Sequence, residues 1–240
     1  MIKSIRISDF FLDLLFPRKP YCIICSGKLT PASQIICESC RDKIIPLSEP
    51  MCGKCGKPRH GQSKGTLCRD CQEDYHAFVQ ARSCGHYEGV LKQLIHEFKY
   101  YGKQELAKVL GGMMFDLLKA LPWPSFDYIV PLPLHPRRQR ERGYNQAYLL
   151  ARVVASQSGI PIYPVLIRVK ATEHQTLLDK TLRKQNLKGA FKVVNGDKIR
   201  DKTLLLIDDV YTTGATSGEC SKSLLEAGAR AVYVLTCARG

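Results

Sequence analysis

The sharpest chemical pattern lies near the end of the chain, in Leu204-Leu205-Leu206-Ile207-Asp208-Asp209-Val210-Tyr211-Thr212-Thr213-Gly214-Ala215-Thr216. An apolar strand delivers two adjacent acids, and a loop of hydroxyls with one glycine then opens a helix. Backbone N–H groups converging at a helix N-terminus attract an anion, and Thr212, Thr213 and Thr216 add hydroxyl donors. Gly214 permits an unusual φ and close approach by a phosphate. Two adjacent carboxylates repel phosphate, but they accept hydrogen bonds from vicinal sugar hydroxyls just beyond it. The residues therefore suggest a ribose 5-phosphate group held at both ends. The segment lacks the Gly-Lys-Ser/Thr of a P-loop. An ordinary strand–turn–helix capped by Asp and Thr is the bland alternative.

A second chemistry sits at the other end. Eight of the eleven cysteines form four C-x-x-C pairs: Cys22/Cys25, Cys37/Cys40, Cys52/Cys55 and Cys68/Cys71. Each pair points two thiolates at one point, and two pairs complete the tetrahedral shell that zinc prefers. A redox role predicts one such pair beside a βαβ unit, not four in series. Disulfides need an oxidising compartment that the N-terminal sequence does not support. Two structural zinc sites are therefore expected. Sequential use gives Cys22/Cys25/Cys37/Cys40 and Cys52/Cys55/Cys68/Cys71, the favoured arrangement because each closes a short loop; a cross-brace would join the first pair to the third. Each site contributes on the order of 10 kcal/mol to folding a stretch poor in core residues. Cys84, Cys220 and Cys237 stand outside the pattern and read as buried, inert thiols.

Basic residues supply a third. Arg137, Arg138, Arg140 and Arg142 fall within six positions at the start of a helix-like segment. Guanidinium groups bind phosphate bidentately, so the run suits a pyrophosphate or nucleic-acid phosphates; a solvated charge run is the alternative. Residues 170–190 form a long polar connection between strands, and a loop of that length inside a compact domain is usually functional.

The elements that position these groups are legible from about residue 81. Leu91, Leu94, Ile95 and Phe98 recur at helical spacing, as do Leu106, Val109, Leu110, Met113, Leu117 and Leu118. The segment from Tyr144 to Ser156 and that from Ser217 to Ala227 also read as helices. Strands are expected at Tyr128–Val130, Tyr163–Val169, Phe191–Val194, Thr203–Ile207 and Ala231–Thr236. Strands apolar on both faces, alternating with helices, indicate a parallel sheet covered on both sides. Ligands of such sheets sit at the carboxyl ends of the strands, which directs attention to Pro131 and Asp208.

Composition sets the outer bounds. At 240 residues, with 45% hydrophobic and 24% charged, the chain has room for one ordinary domain and a small module, and is not disordered or fibrous. The net charge of +14 is spread along the chain with no basic tail, and a surface this positive attracts polyanions. The apolar stretch from Phe10 to Phe16 is interrupted by Asp13 and is far short of the ~20 residues that span a bilayer. With no cleavage pattern after it, the expected location is cytoplasmic. Residues 1–16 read either as a helix docked on the protein's own core or as an interfacial helix for a membrane or a partner.

The segment LLLIDDVYTTGAT resembles the phosphoribosyl-pyrophosphate motif of type I phosphoribosyltransferases. The chain as a whole resembles the ComF family of bacterial competence proteins, through an ordered set of features. These are the four C-x-x-C pairs, LIHEFKYYGK at 94–103, VPLPLHPRRQRERGYNQ at 130–146, RVKATEHQTLLDKTLRKQNLKGAF at 168–191 and the Asp-Asp motif. The resemblance implies an α/β fold: a type I phosphoribosyltransferase-like parallel sheet flanked by helices over residues 81–240, behind an N-terminal helix and double zinc ribbon over residues 1–80. It assigns Asp208 and Asp209 to the ribose hydroxyls and Tyr211 to Thr216 to the 5-phosphate, with Val210 between them, and it implies Mg²⁺ bridging pyrophosphate and ribose. Arg137, Arg138 and Arg142 fall beside the pyrophosphate position. Arg168, Thr172, Gln175, Arg183 and Asn186 match the family pattern in the segment that is a flexible catalytic loop in type I enzymes.

One departure bears on chemistry. Purine-type enzymes carry an acidic general base three residues after the second acid, where this chain has Thr212, which argues against simple purine salvage. Orotate-type enzymes also have Thr there, so turnover stays open and no catalytic residue is assigned. The functional expectation is a competence protein that handles incoming single-stranded DNA on the cytoplasmic side during natural transformation, alongside a phosphoribosyl pyrophosphate site. Aromatic and basic residues in Phe98-Lys99-Tyr100-Tyr101 and Arg142-Gly143-Tyr144 suggest base stacking. Other competence or recombination proteins are expected partners, with peripheral contact on the inner face of the membrane through residues 1–16 as a further option. The alternatives are a transferase with an unknown acceptor and a non-catalytic phosphoribosyl pyrophosphate sensor.

Overall fold

The knuckle sequences fold as a repeated unit. In the computed structural model, which describes residues 21–30, 35–59, 66–170 and 186–240, Cys22 N–H donates to Gly27 O at 2.7 Å and Cys52 N–H to Lys57 O at 2.8 Å. Antiparallel bridges Tyr21–Lys28 and Met51–Pro58 frame the two turns. Each turn needs one residue of positive φ, Ser26 at 57° and Gly56 at 68°. The second cysteine pair of each half opens a short helical segment, Glu38–Arg41 and Arg69–Glu73.

The chain divides into two compact units, residues 1–43 and 44–240. The first contains the Cys22–Cys40 ribbon. The second contains the Cys52–Cys71 ribbon together with the α/β core. Residues 1–16, read from sequence as a helix, lie outside the described residues.

In the second unit the main sheet is four-stranded and wholly parallel. Its strands are β1 (Gln80–His86), β2 (Tyr128–Pro131), β5 (Thr203–Tyr211) and β6 (Ala231–Arg239), in the order β1-β6-β5-β2. The central strands are buried along almost their whole length, as a sheet covered on both faces requires. Two short strands, β3 (Leu166–Arg168) and β4 (Phe191–Val193), pair antiparallel beside the sheet. Of the segment expected as one strand over 163–169, only Leu166–Arg168 is strand.

Helices α1 (Gly89–Tyr100), α2 (Leu106–Ala120), α3 (Pro136–Arg142), α4 (Gln146–Ser158) and α5 (Ala215–Glu226) complete the core. Leu91, Leu94, Ile95 and Phe98 form the buried stripe of α1, as their spacing predicts. Helices α2 and α4 approach closely because Gly111 has no side chain: a Cβ there would lie 2.6 Å from Val153 Cβ. Helix α4 starts at Asn145, whose side chain accepts from Tyr148 N–H, and stops at Gly159 with φ 76°. Among the described residues no helix is long and apolar enough to cross a membrane.

Both edges of the sheet are covered. Ala81 N–H donates to Lys54 O and His86 N–H to Ile45 O, so the ribbon segment lines β1. Residues Pro161–Tyr163 line β2 through Ile129. An edge closed in this way does not recruit strands from other molecules, and it fixes the second ribbon against the domain.

Candidate functional site

Strands β2 and β5 run parallel, so Pro131 and the Asp208–Tyr211 segment end on the same side of the sheet. There a cavity of about 510 Å³ opens, within the range of small-ligand sites. Its wall takes Leu132 and Leu134 from the segment after β2, Arg138 and Arg142 from α3, Arg168 from β3, and Asp208 to Thr212, Gly214 and Thr216 from β5 and the following turn. Four segments singled out in the sequence thus meet in one place. Residues that sequence reasoning gave no role in the cavity, Tyr87, Lys99 and Glu141 among them, also line it.

Strand β5 runs through both acids to Tyr211 because β6 pairs with it as far as Arg239. The loop that follows is only Thr212–Gly214, shorter than the sequence suggests. Gly214 caps α5 with φ 78°, and a Cβ there would collide with the Tyr211 ring and crowd His76. Thr213 Oγ1 accepts from Ala215 N–H at 3.4 Å. The first-turn N–H groups of a helix have no partner within it, so Thr216 and Ser217 present theirs at the cavity wall.

The acids are not equivalent. Asp209 pairs with Lys99 of α1, Oδ1 to Nζ 2.7 Å, and both side chains are largely buried, at 12% and 17% exposure. Burial works against the ammonium, but Asp209 outweighs it and holds Lys99 charged above the usual lysine range. One ammonium compensates one carboxylate. Asp208 is left with burial and the neighbouring Asp209 against it, and its carboxyl is pushed up to about 7 despite Lys99, the Asp209 amide and Arg168. That amide donates to Asp208 Oδ1 at 2.8 Å.

The arginines separate by environment. Arg142 donates to Gln146 Oε1 at 2.9 Å and lies over the Tyr100 ring, 5.1 Å from its centroid. Arg138 lines the cavity, whereas Arg137 turns to Glu141 at 3.0 Å and is not part of the wall. Arg168 is buried beside the Phe191 ring, and burial together with Arg138 lowers its pKa. Asn186 is exposed and outside the wall. Arg183, Thr172 and Gln175 lie outside the described residues.

Base stacking on Phe98 or Tyr144 is ruled out by burial: Phe98 is fully enclosed, and Tyr144 donates its hydroxyl to Phe98 O. Tyr100 and Tyr101 are instead exposed, both against His96 with centroids 4.9 and 5.6 Å away. Tyr100 falls off the apolar stripe, but Tyr101 continues its spacing and is exposed because the helix ends at Tyr100.

The cysteines group sequentially. The four ligand sulfurs of Cys22, Cys25, Cys37 and Cys40 lie within 4.8 Å of one another, as do those of Cys52, Cys55, Cys68 and Cys71. All-thiolate sets with this closeness fit structural zinc. Cys68 N–H points at Cys52 Sγ at 3.3 Å and Ile24 N–H at Cys22 Sγ at 3.5 Å. Burial opposes ionisation of Cys22 and Cys52, but such amides outweigh it and lower each to about 6. In Cys40, burial and then the neighbouring sulfurs push the thiol to about 12. Four thiols this crowded need a cation. Cys220 and Cys237 are buried, with their thiols well above the usual range chiefly through burial, and Cys84 is pushed to about 12 for the same reason.

Residues 11–72 match the double zinc ribbon domain family. The chain is 33% identical to Competence protein F of Haemophilus influenzae, over 91% of this chain and 96% of that protein. It is 32% identical to Competence protein ComFC of Bacillus subtilis, over 90% and 82%. A DNA utilization protein, YhgH of Salmonella typhi, is 34% identical over 75% of this chain and 80% of its own length. Among solved structures, a glutamine phosphoribosylpyrophosphate amidotransferase from B. subtilis matches 58% of this chain and 30% of its own, at 21% identity and a TM-score of 0.39.

Proposed function

The chain belongs to the family of Competence protein F and ComFC, and from that premise we propose that it handles single-stranded DNA during uptake while carrying a binding site for phosphoribosyl pyrophosphate. The observation that carries the second half is one cavity wall that combines adjacent acids, a hydroxyl-lined turn opening a helix, and arginines from other elements. Asp208 and Asp209 accept from the ribose hydroxyls. The turn from Thr212 to Thr216 receives the 5-phosphate on N–H and hydroxyl donors. Arg138 and Arg142, with Arg168 at the wall, neutralise the pyrophosphate; Arg137 and Asn186 lie outside that wall, and Arg183 enters the reading from the sequence alone.

Magnesium is a hard cation that seeks oxygen and keeps several waters. The carboxylates of Asp208 and Asp209 are suitable oxygen donors, and the ion supplies charge neutralisation of the pyrophosphate. Because Lys99 already pairs with Asp209 Oδ1, Asp208 would be the principal carboxylate to hold the ion.

The DNA half rests on the names of the relatives, the +14 charge and the exposed Tyr100 and Tyr101 beside Arg142. Stacking rings next to guanidinium groups bind single strands with little sequence preference. Binding of a labelled single strand is expected to fall steeply with salt and to weaken in Tyr100→Ala with Tyr101→Ala; a flat salt response contradicts it. Whether the site only senses its ligand or transfers phosphoribose to an acceptor is read by pyrophosphate release: steady release with a defined acceptor makes it a transferase, and binding without release makes it a sensor. The zinc ribbons then serve for docking to DNA or to other competence or recombination proteins, with peripheral membrane contact through residues 1–16 as an option beside their docking on the protein's own core.

A further inference from the structure

Lys99 is a buried charge in the cavity that the sugar-phosphate reading does not itself require. It comes from α1, a different element from the acids, so its contact with Asp209 is tertiary and not a local accident. A pair this buried loses most of its Coulombic gain to desolvation and is a weak source of stability. Its place at the carboxylate facing the sugar has a better chemical reason.

A carboxylate only accepts hydrogen bonds, and an ammonium carries three donors and no acceptor. Fixed 2.7 Å apart, Asp209 Oδ1 and Lys99 Nζ present an acceptor beside a donor. A sugar hydroxyl is itself both donor and acceptor. It complements such a pair by donating to Asp209 and accepting from Lys99, while its vicinal neighbour faces Asp208. A sugar lacking one of the two hydroxyls leaves buried polar groups unmet, which is costly. Discrimination of this kind is useful beside DNA, whose 5′-terminal sugar phosphates lack the 2-hydroxyl.

We propose that Lys99, paired with Asp209, is a specificity-determining residue that reads the vicinal diol and selects ribose phosphates over 2-deoxyribose phosphates. The inference rests on the phosphoribosyl reading above. It is tested by competitive binding of ribose 5-phosphate and 2-deoxyribose 5-phosphate to the full-length, zinc-loaded chain. The wild type is expected to prefer ribose by about tenfold or more, the cost of a buried unmet group. In a Lys99→Met chain verified as folded by circular dichroism, the ratio of ribose to 2-deoxyribose 5-phosphate affinity should fall to near one, so that the preference vanishes. Lys99→Arg, which still donates, should keep most of it. Equal wild-type affinity for the two sugars overturns the proposal without any variant. A Lys99→Met chain that loses both ligands equally, or keeps the wild-type ratio, overturns it as well. In all three cases the phosphoribosyl site stands, whereas a wild type that binds neither sugar phosphate removes the site and the inference together.

Discussion

Arg239 Nη1 donates to Cys55 O at 2.7 Å, and the same guanidinium lies over the Tyr211 ring, 4.7 Å from its centroid. The last residue of β6 thus ties the second zinc knuckle to the residue that ends β5 and opens the hydroxyl turn. Tyr211 is buried at 2% exposure and packs edge-on against Phe78. His76 stacks on Phe78 and closes on Gly214. The second ribbon is therefore the back wall of the proposed phosphate turn.

Zinc removal should consequently reach the ligand site. The intact chain is expected to hold two zinc ions, one per sulfur cluster, by metal analysis. Cys71→Ser should reduce this to one and weaken sugar-phosphate binding several-fold through the loss of the Cys55–Arg239–Tyr211 contact. A variant with one zinc and full affinity would show that the wall and the turn are independent.

Gly214→Ala meets two penalties at once. An alanine at φ 78° costs on the order of 1–2 kcal/mol, and its Cβ must displace the Tyr211 ring. Thermal unfolding should fall by several degrees, and phosphate-dependent binding should be lost beyond the fall in stability. Unchanged affinity for ribose 5-phosphate would remove the turn from the site.

The pH dependence has a definite sign. Asp208 has a folded value of about 7 against an ordinary 3.8, so between these the folded state binds more protons than the unfolded state. Stability should fall as pH rises from about 4 to 7 and then level off. Asp208→Asn should remove that slope in denaturant unfolding measured across the window. Since ribose hydroxyls donate best to the ionised acid, binding near pH 6.5 should release a proton, seen by calorimetry as a heat that depends on the buffer and is absent in Asp208→Asn.

Much of this architecture was legible because it depends on local rules. The cysteine spacing favours sequential grouping over a cross-brace, and the sulfurs group that way; the apolar runs mark the central strands. Strand β1 was missed because Gln80–His86 contains Gln80, Arg82, Ser83 and His86, residues with no strand signature. It is held in the sheet by pairing with β6 and by the Lys54 and Ile45 backbone along its other edge, which no local window contains. Lys99 was missed for a related reason. A lysine one residue past the apolar stripe reads as a surface charge, and only the approach of α1 to the end of β5 makes it a partner of Asp209. The extension of β5 through its acids likewise follows from pairing with β6, not from the propensity of Asp for strands.

The central claim is that the acids and the turn form a live phosphoribosyl site, and calorimetric titration of Mg²⁺–phosphoribosyl pyrophosphate into the zinc-loaded chain tests it most directly. The account predicts one saturable site in the wild type and at least a tenfold loss in Asp209→Asn, with the folded state of the variant verified by circular dichroism. No heat of binding in the wild type, or equal affinity in the folded variant, would contradict it and leave the motif as scaffold.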